Sequence, residues 1–266
     1  MKEGLPAFPP PPPVDDEIVD HSAPAHVAFL RTILVFFKRS LTDVLYIVAD
    51  NCPTNGCIAS ILKVPFVGCA SHRLNLAVVH YMENYEPLLE KLQSLMRKLR
   101  GLNASKQETK LRPVLRQTTR WSSAFNMLQR YFDLKDTINT MDDATAAFMP
   151  TRREENKLKG LLEELKAFES SSKKLQSADG LSLLDVRDIF DALIVEHPGL
   201  EGYLGSDAAI IHHPEFEDAC VTVLMGKANS LTQQQRTLLL PFEAPATPAA
   251  VLEDKKLGFA DRAEET

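Results

Sequence analysis

The sequence predicts an α/β chain that is mostly helical, and three observations carry this. Two short apolar runs, "VLYIVAD" over 44–50 and "VPFVGC" over 64–69, are rich in β-branched residues and read as buried strands. They alternate with helical periodicities as helix-strand-helix-strand-helix over residues 25–100, the order that builds a parallel sheet. After residue 101 the strand signal stops and only helical spacing continues, to about residue 240.

In order, the first helix rests on Val27, Leu30, Ile33, Leu34 and Phe37, spaced by three and four. The 44–50 run follows, and Pro53 and Gly56 then punctuate a turn before a short helix carrying Ile58, Ile61 and Leu62. After the second strand, a long helical segment carries the stripe Leu74, Val78, Tyr81, Tyr85, Leu88, Leu92, Leu95 and Leu99. Pro87 is expected to kink or divide it, and Gly101 with Asn103 to stop it. Further helices are read over "SSAFNMLQRYFDLKDTINTM", "EENKLKGLLEELKAFESSSKKL", "LSLLDVRDIFDALI", "PEFEDACVTVLMGK" and "SLTQQQRTLLLPF". The third of these opens on a Ser182-x-x-Asp185 capping pattern, the fourth on Pro214, and the last is read from Ser230 to Pro241. Two visible strands are fewer than a stable sheet usually has, so the sheet reads as incomplete.

Length and composition set the limits. At 266 residues the chain makes one large or two modest domains, with 44% hydrophobic and 25% charged residues as in ordinary globular proteins. A net charge of -6 excludes a globally basic nucleic-acid binder. Four cysteines without a disulfide-like framework point to a reducing compartment. The start lacks a secretory pattern, and "HVAFLRTILVFF" is broken by Arg31 and too short to cross a bilayer. The expectation is a soluble intracellular chain with no membrane partner. Residues 1–24, with five consecutive prolines, read as an extended lead-in or a ligand for a proline-binding domain; residues 244–266 read as a flexible tail.

Charge is uneven. Lys91, Arg97, Lys98, Arg100, Lys106, Lys110, Arg112, Arg116, Arg120 and Arg130 stand against the single acid Glu108. Such a stripe suits a phosphate backbone, and it equally suits a solvated helix face beside a polar loop.

The stretch from Asp50 to His72 concentrates reactive side chains. Cys52-x4-Cys57 and Cys69-x2-His72 resemble the paired ligands of a zinc site, although Cys57 falls in a helix start and Cys69 where a small hydrophobe is expected. Asp50 closes an apolar strand, the end at which α/β sheets place their chemistry. A carboxylate there suits a divalent metal, and it equally suits capping of the following turn.

Three motifs then resemble the central part of a hAT-superfamily transposase, most strongly over 44–130: Asp50-Asn51-Cys52-Pro53-Thr54-Asn55, then Cys69-Ala70-Ser71-His72-Arg73-Leu74-Asn75-Leu76, then Arg120-Trp121-Ser122-Ser123. The resemblance implies a partial ribonuclease H-like core over 25–135, bearing the basic stripe, and an all-helical insertion region over 136–243. It makes Asp50 the second of three catalytic acids that hold Mg²⁺ or Mn²⁺ for cut-and-paste DNA transposition. Asn51, Asn55, Cys69 and His72 become structural neighbours of that site, with no zinc expected. Trp121 becomes an aromatic for a flipped base, with Arg120 beside it as a phosphate contact; Arg116 and Arg112 of the stripe complete the expected DNA-binding set. A nuclear location also follows from the resemblance.

The departures are as informative. No first acid precedes Asp50 on a strand, and no Ser-Glu-Arg-like box follows. One carboxylate cannot hold two metals. The expectation is a transposase-derived fragment that is catalytically inactive alone, needs no cofactor, and lacks the family's zinc finger and dimerisation region. Its oligomeric state stays open. The alternative is a domesticated nucleic-acid- or protein-binding module built on residues 91–130.

Overall fold

The computed structural model describes residues 20–101, 110–138, 143–177 and 180–243. The proline run, the charged tail, Asn103, Lys106 and Glu108 lie outside them.

Helix α1 (Ala23–Phe36) is capped by the Ser22 side chain, which accepts from Ala25 N–H. A 3-10 turn (Leu41–Asp43) leads into strand β1 (Ile47–Ala49). Helix α2 (Pro53–Leu62) starts with Pro53 in its first turn and ends on Lys63 in the left-handed conformation. Strand β2 (Phe66–Gly68) pairs parallel with β1, in the register Ile47–Phe66, Val48–Val67, Ala49–Gly68. The expected parallel pair is therefore present, but shorter than the apolar runs. The expectation that both strands are buried holds for β2 only. Val48 is 59% exposed, and among the described residues nothing pairs with the outer side of β1.

The long helical segment divides as Pro87 suggests. Helix α3 (Ala70–Tyr81) passes through a 3-10 turn (Met82–Tyr85) into helix α4 (Glu86–Arg100), which has Pro87 in its first turn. The rest is helical: α5 (Trp121–Leu134), the short α6 (Asp143–Ala146), α7 (Arg152–Leu175), α8 (Leu183–Glu196), the short α9 (Glu201–Leu204), α10 (Pro214–Leu224) and α11 (Gln233–Leu239). The Ser182–Asp185 capping box forms as read. The last helix is capped by Thr232 with Gln235, two residues later than the Ser230 start expected from sequence.

One large core joins α3, α4, α5, α7, α8 and α9 through fully buried residues such as Leu74, Leu92, Met127, Leu161 and Phe168. A smaller cluster of Ala23, Val27 and Ile58, with Leu30, Ile47 and Leu62 against it, holds α1 and α2 on one face of the sheet. The architecture is mostly helical with a two-stranded parallel sheet, as the sequence predicts.

Candidate functional site

Asp50 leaves the end of β1 and turns at once into α2. Its Oδ1 accepts from Cys52 N–H at 3.3 Å and from Asn55 Nδ2 at 2.7 Å; Asn55 Nδ2 also reaches the Asp50 carbonyl at 3.1 Å. Hydrogen bonds from the Cys52 thiol and N–H, with smaller contributions from nearby His72 and Asn55, hold the carboxyl below its usual value. Asp50 and Asn55, five positions apart within the first motif, thus fasten the strand-to-helix turn.

Asn51 points the other way. Its Nδ2 donates to the Ile210 carbonyl at 2.8 Å. It lies so close over β2 that a Cβ on Gly68 would stand 2.8 Å from Asn51 Oδ1, so a larger residue there would displace the Asn51 amide. Two more side chains secure the same distant segment. Phe66 N–H donates to His213 Nδ1 at 3.0 Å, and the His212 ring packs on the Phe66 ring with centroids 4.7 Å apart. Arg73, 4% exposed, donates through Nε and Nη2 to the Tyr203 carbonyl at 3.3 and 3.1 Å, and through Nη2 to the Gly205 carbonyl at 3.2 Å. Its Nη1 stands 3.5 Å from Glu217, and its guanidinium lies over the Phe190 ring at 5.2 Å. Burial pulls the Arg73 value down and pushes Glu217 up, against their mutual attraction. The strand-end motif and the Cys-x2-His-Arg box thereby clasp residues 203–213 onto the sheet. Sequence reasoning missed Arg73. Its signal was its place on the same helical face as Leu74, Ala77 and Val78.

The second motif also holds the third. Asn75 Nδ2 donates to the Thr119 carbonyl at 3.2 Å, and its Oδ1 accepts from Trp121 N–H at 3.4 Å, one residue either side of Arg120. Ser123 Oγ donates toward the Gln117 and Arg120 carbonyls, both at 2.7 Å, and accepts from Gln117 N–H at 2.8 Å. Arg120 is presented on this pinned turn and is exposed. Trp121 turns inward; it is 3% exposed, with Phe125 and Phe168 at 6.3 and 6.5 Å between ring centroids.

The basic stripe separates into two populations. Arg116 is buried, donates to Glu86 and Glu90, and its N–H donates to Gln93 Oε1 at 2.9 Å. Lys91 pairs with Glu154 at 2.8 Å, Arg97 with Glu90 at 3.2 Å, and Arg130 lies 3.8 Å from Asp133 while donating to the Arg112 carbonyl at 2.6 Å. Arg112 and Arg120 are exposed and form no ion pair among the described residues.

The structure does not gather the Cys/His set. All four cysteines are free, Cys57 lies on the exposed side of α2, and among the described residues no group of three or more His, Cys, Asp or Glu side chains could hold a metal ion. The donors at Asp50 bear on the metal pair that the resemblance implies. Among the described residues they are one carboxylate, already accepting hydrogen bonds from Cys52 and Asn55, beside an amide, a thiol and an imidazole, which does not fit a two-metal group.

Residues 67–166, from β2 into α7, match the family model of the ZBED1 RNase-like helical domain. The match supports a relationship of this chain to the hAT/ZBED family. No curated protein matches the chain significantly. Among the described residues no helix is long and apolar enough to cross a membrane.

Proposed function

We propose that the chain is a hAT transposase-derived protein that binds nucleic acid through the exposed Arg120 on its pinned turn together with the exposed Arg112 earlier in the same connection, and does not cleave DNA by two-metal chemistry on its own. The observation that carries this reading is the pinned 117–123 turn: Asn75 and Ser123 fix the backbone on both sides of Arg120 and leave its guanidinium outside. An exposed cation on a fixed backbone, with no ion-pair partner among the described residues, suits a phosphate, which needs charge and no base-specific shape. Arg116 serves the fold instead, since Glu86 and Glu90 occupy its guanidinium. A base can stack on Trp121 only if the indole leaves the core, so the proposal rests on the two arginines. The ancestral activity is DNA transposition with Mg²⁺ or Mn²⁺, and the expected location is the nucleus, both by resemblance.

The test is duplex DNA binding measured by fluorescence anisotropy across a salt series. Binding should weaken steeply with salt, and neutralising Arg112 and Arg120 together should lower the slope of log K against log salt by about 2. Absence of binding at low salt contradicts the reading. With Mn²⁺ and a duplex the chain should show no nicking; robust nicking that disappears in Asp50→Ala contradicts the second half of the reading.

A further inference from the structure

A cavity of about 900 Å³ opens between α7 and the 3-10 turn that joins α3 to α4. Its α7 wall carries Arg153, Lys157, Gly160 and Glu164, spaced by four, three and four, so they run along one face of that helix. Arg153 and Lys157 are exposed and form no ion pair among the described residues. Glu154, three positions before Lys157, is already occupied: Lys91 Nζ lies 2.8 Å from its Oε2, and Thr151 N–H donates to the same oxygen at 2.8 Å. One end of the wall is therefore cationic. The other end is an acceptor, because Glu164 Oε2 accepts from the Tyr81 hydroxyl at 2.8 Å. Burial, and then Glu164, push the Tyr81 hydroxyl up, so it stays a donor, and the carboxylate keeps capacity for further bonds. The Tyr81 and Tyr85 rings, with centroids 6.4 Å apart, line the same cavity. Gly160 weakens the helix it sits in, and no packing requires it: among the described residues a Cβ there would meet nothing within 4 Å. What it does is leave the wall bare between Lys157 and Glu164.

We propose that this cavity is a guanine-nucleotide site. The order of its groups sets the chemistry of the ligand: an anionic end, a flat middle, and an edge of hydrogen-bond donors. A phosphate meets Arg153 and Lys157, which stand one helical turn apart. The base lies against the Tyr85 ring, as bases do on aromatic side chains. Guanine then turns its N1–H and its exocyclic amino group to the Glu164 carboxylate, which accepts both; adenine turns an acceptor there beside its amino group and loses one of the two bonds. Lys157 and Glu164 are about 10 Å apart along the helix, roughly the length of one nucleotide from phosphate to base edge. The bare backbone at Gly160 lets the ligand lie close to α7 between them. The base must be unpaired, since a paired guanine has already spent this edge. The same chemistry is offered by a free nucleotide and by an unpaired guanine of a single strand. The site stands apart from Arg112 and Arg120, so either can fail without the other.

The test is titration calorimetry on the whole 266-residue chain. Guanosine 5′-diphosphate should bind saturably, and guanosine and adenosine 5′-diphosphate each at least about tenfold more weakly, the first lacking the phosphates and the second the donor edge. A nonamer of abasic nucleotides carrying one guanine, titrated in parallel, separates the sources: tighter binding than the diphosphate assigns the site to a strand, weaker binding to the free nucleotide. Gly160→Leu fills the cavity and should abolish binding of both probes, with a thermal midpoint no lower than before, because leucine is the better helix former. Neutralising Arg112 and Arg120 should leave diphosphate binding unchanged, which keeps this result separate from duplex binding at that turn. No saturable binding up to about 1 mM, equal affinity for the three small probes, or binding that survives Gly160→Leu overturns the proposal. If Gly160→Leu fails to fold, Glu164→Gln decides: the preference for the guanine over the adenine diphosphate should fall to about one, and an unchanged preference overturns the site.

Discussion

Asn51 Nδ2 donates to the Ile210 carbonyl at 2.8 Å across 159 positions of sequence. With Arg73 and His213 it makes a clasp in which motif residues hold the 203–213 segment rather than a ligand. Asn51→Ala should therefore cost stability. The Ile210 carbonyl loses its partner, a loss of about 1–3 kcal/mol, and the thermal midpoint should fall by several degrees in a calorimetric scan.

Arg73 carries more of the clasp. Arg73→Met leaves the Tyr203 and Gly205 carbonyls without their donor and takes from the mostly buried Glu217 its ion-pair partner, leaving it Arg187 and the Gly68 N–H, so the loss should reach about 3 kcal/mol in urea unfolding. Adding Glu217→Gln to Arg73→Met should recover part of it, because the buried charge is then removed. A double variant no more stable than the single one would place the cost elsewhere.

Trp121 and Arg120 adjoin in sequence and should respond oppositely. Trp121→Ala empties a buried site against Phe125 and Phe168 and should cost about 3–5 kcal/mol. Arg120→Ala, at an exposed position, should change stability by no more than about 0.5 kcal/mol while weakening duplex binding. Paired urea unfolding and anisotropy measurements separate the two.

Glu154 sets a pH dependence. The Lys91 ammonium, and then the Thr151 N–H of the capping box, pull its carboxyl down to about 2 from an unfolded value near 4.5. A depressed carboxyl stabilises the fold above its unfolded value, and that contribution disappears as pH falls from there toward about 2. Glu154→Gln should flatten the stability profile over that window and leave its slope above pH 6 unchanged, as read by unfolding midpoints across pH.

Much of this was legible in the sequence because it is local. The β–α–β order, the division at Pro87 and the Ser182–Asp185 cap follow from spacing and turn chemistry within a few residues. The open side of β1 was not legible, since an apolar β-branched run has the same pattern whether it is covered or exposed. Nor was the clasp: Arg73 meets Tyr203 and Asn51 meets Ile210 at separations where no periodicity operates. The basic stripe misled in part. Counting charges along the chain cannot show that Glu86 and Glu90 on α4 already occupy Arg116, nor that Trp121 turns into the core beside an exposed Arg120.

The most direct test of the clasp is hydrogen exchange in the Asn51→Ala chain, read peptide by peptide. Residues 203–213 and the Phe66 amide, which is bonded to His213 Nδ1, should exchange faster, while α4 and α5 keep their protection. Unchanged exchange over 203–213 would contradict the assignment of these motif residues to holding that segment.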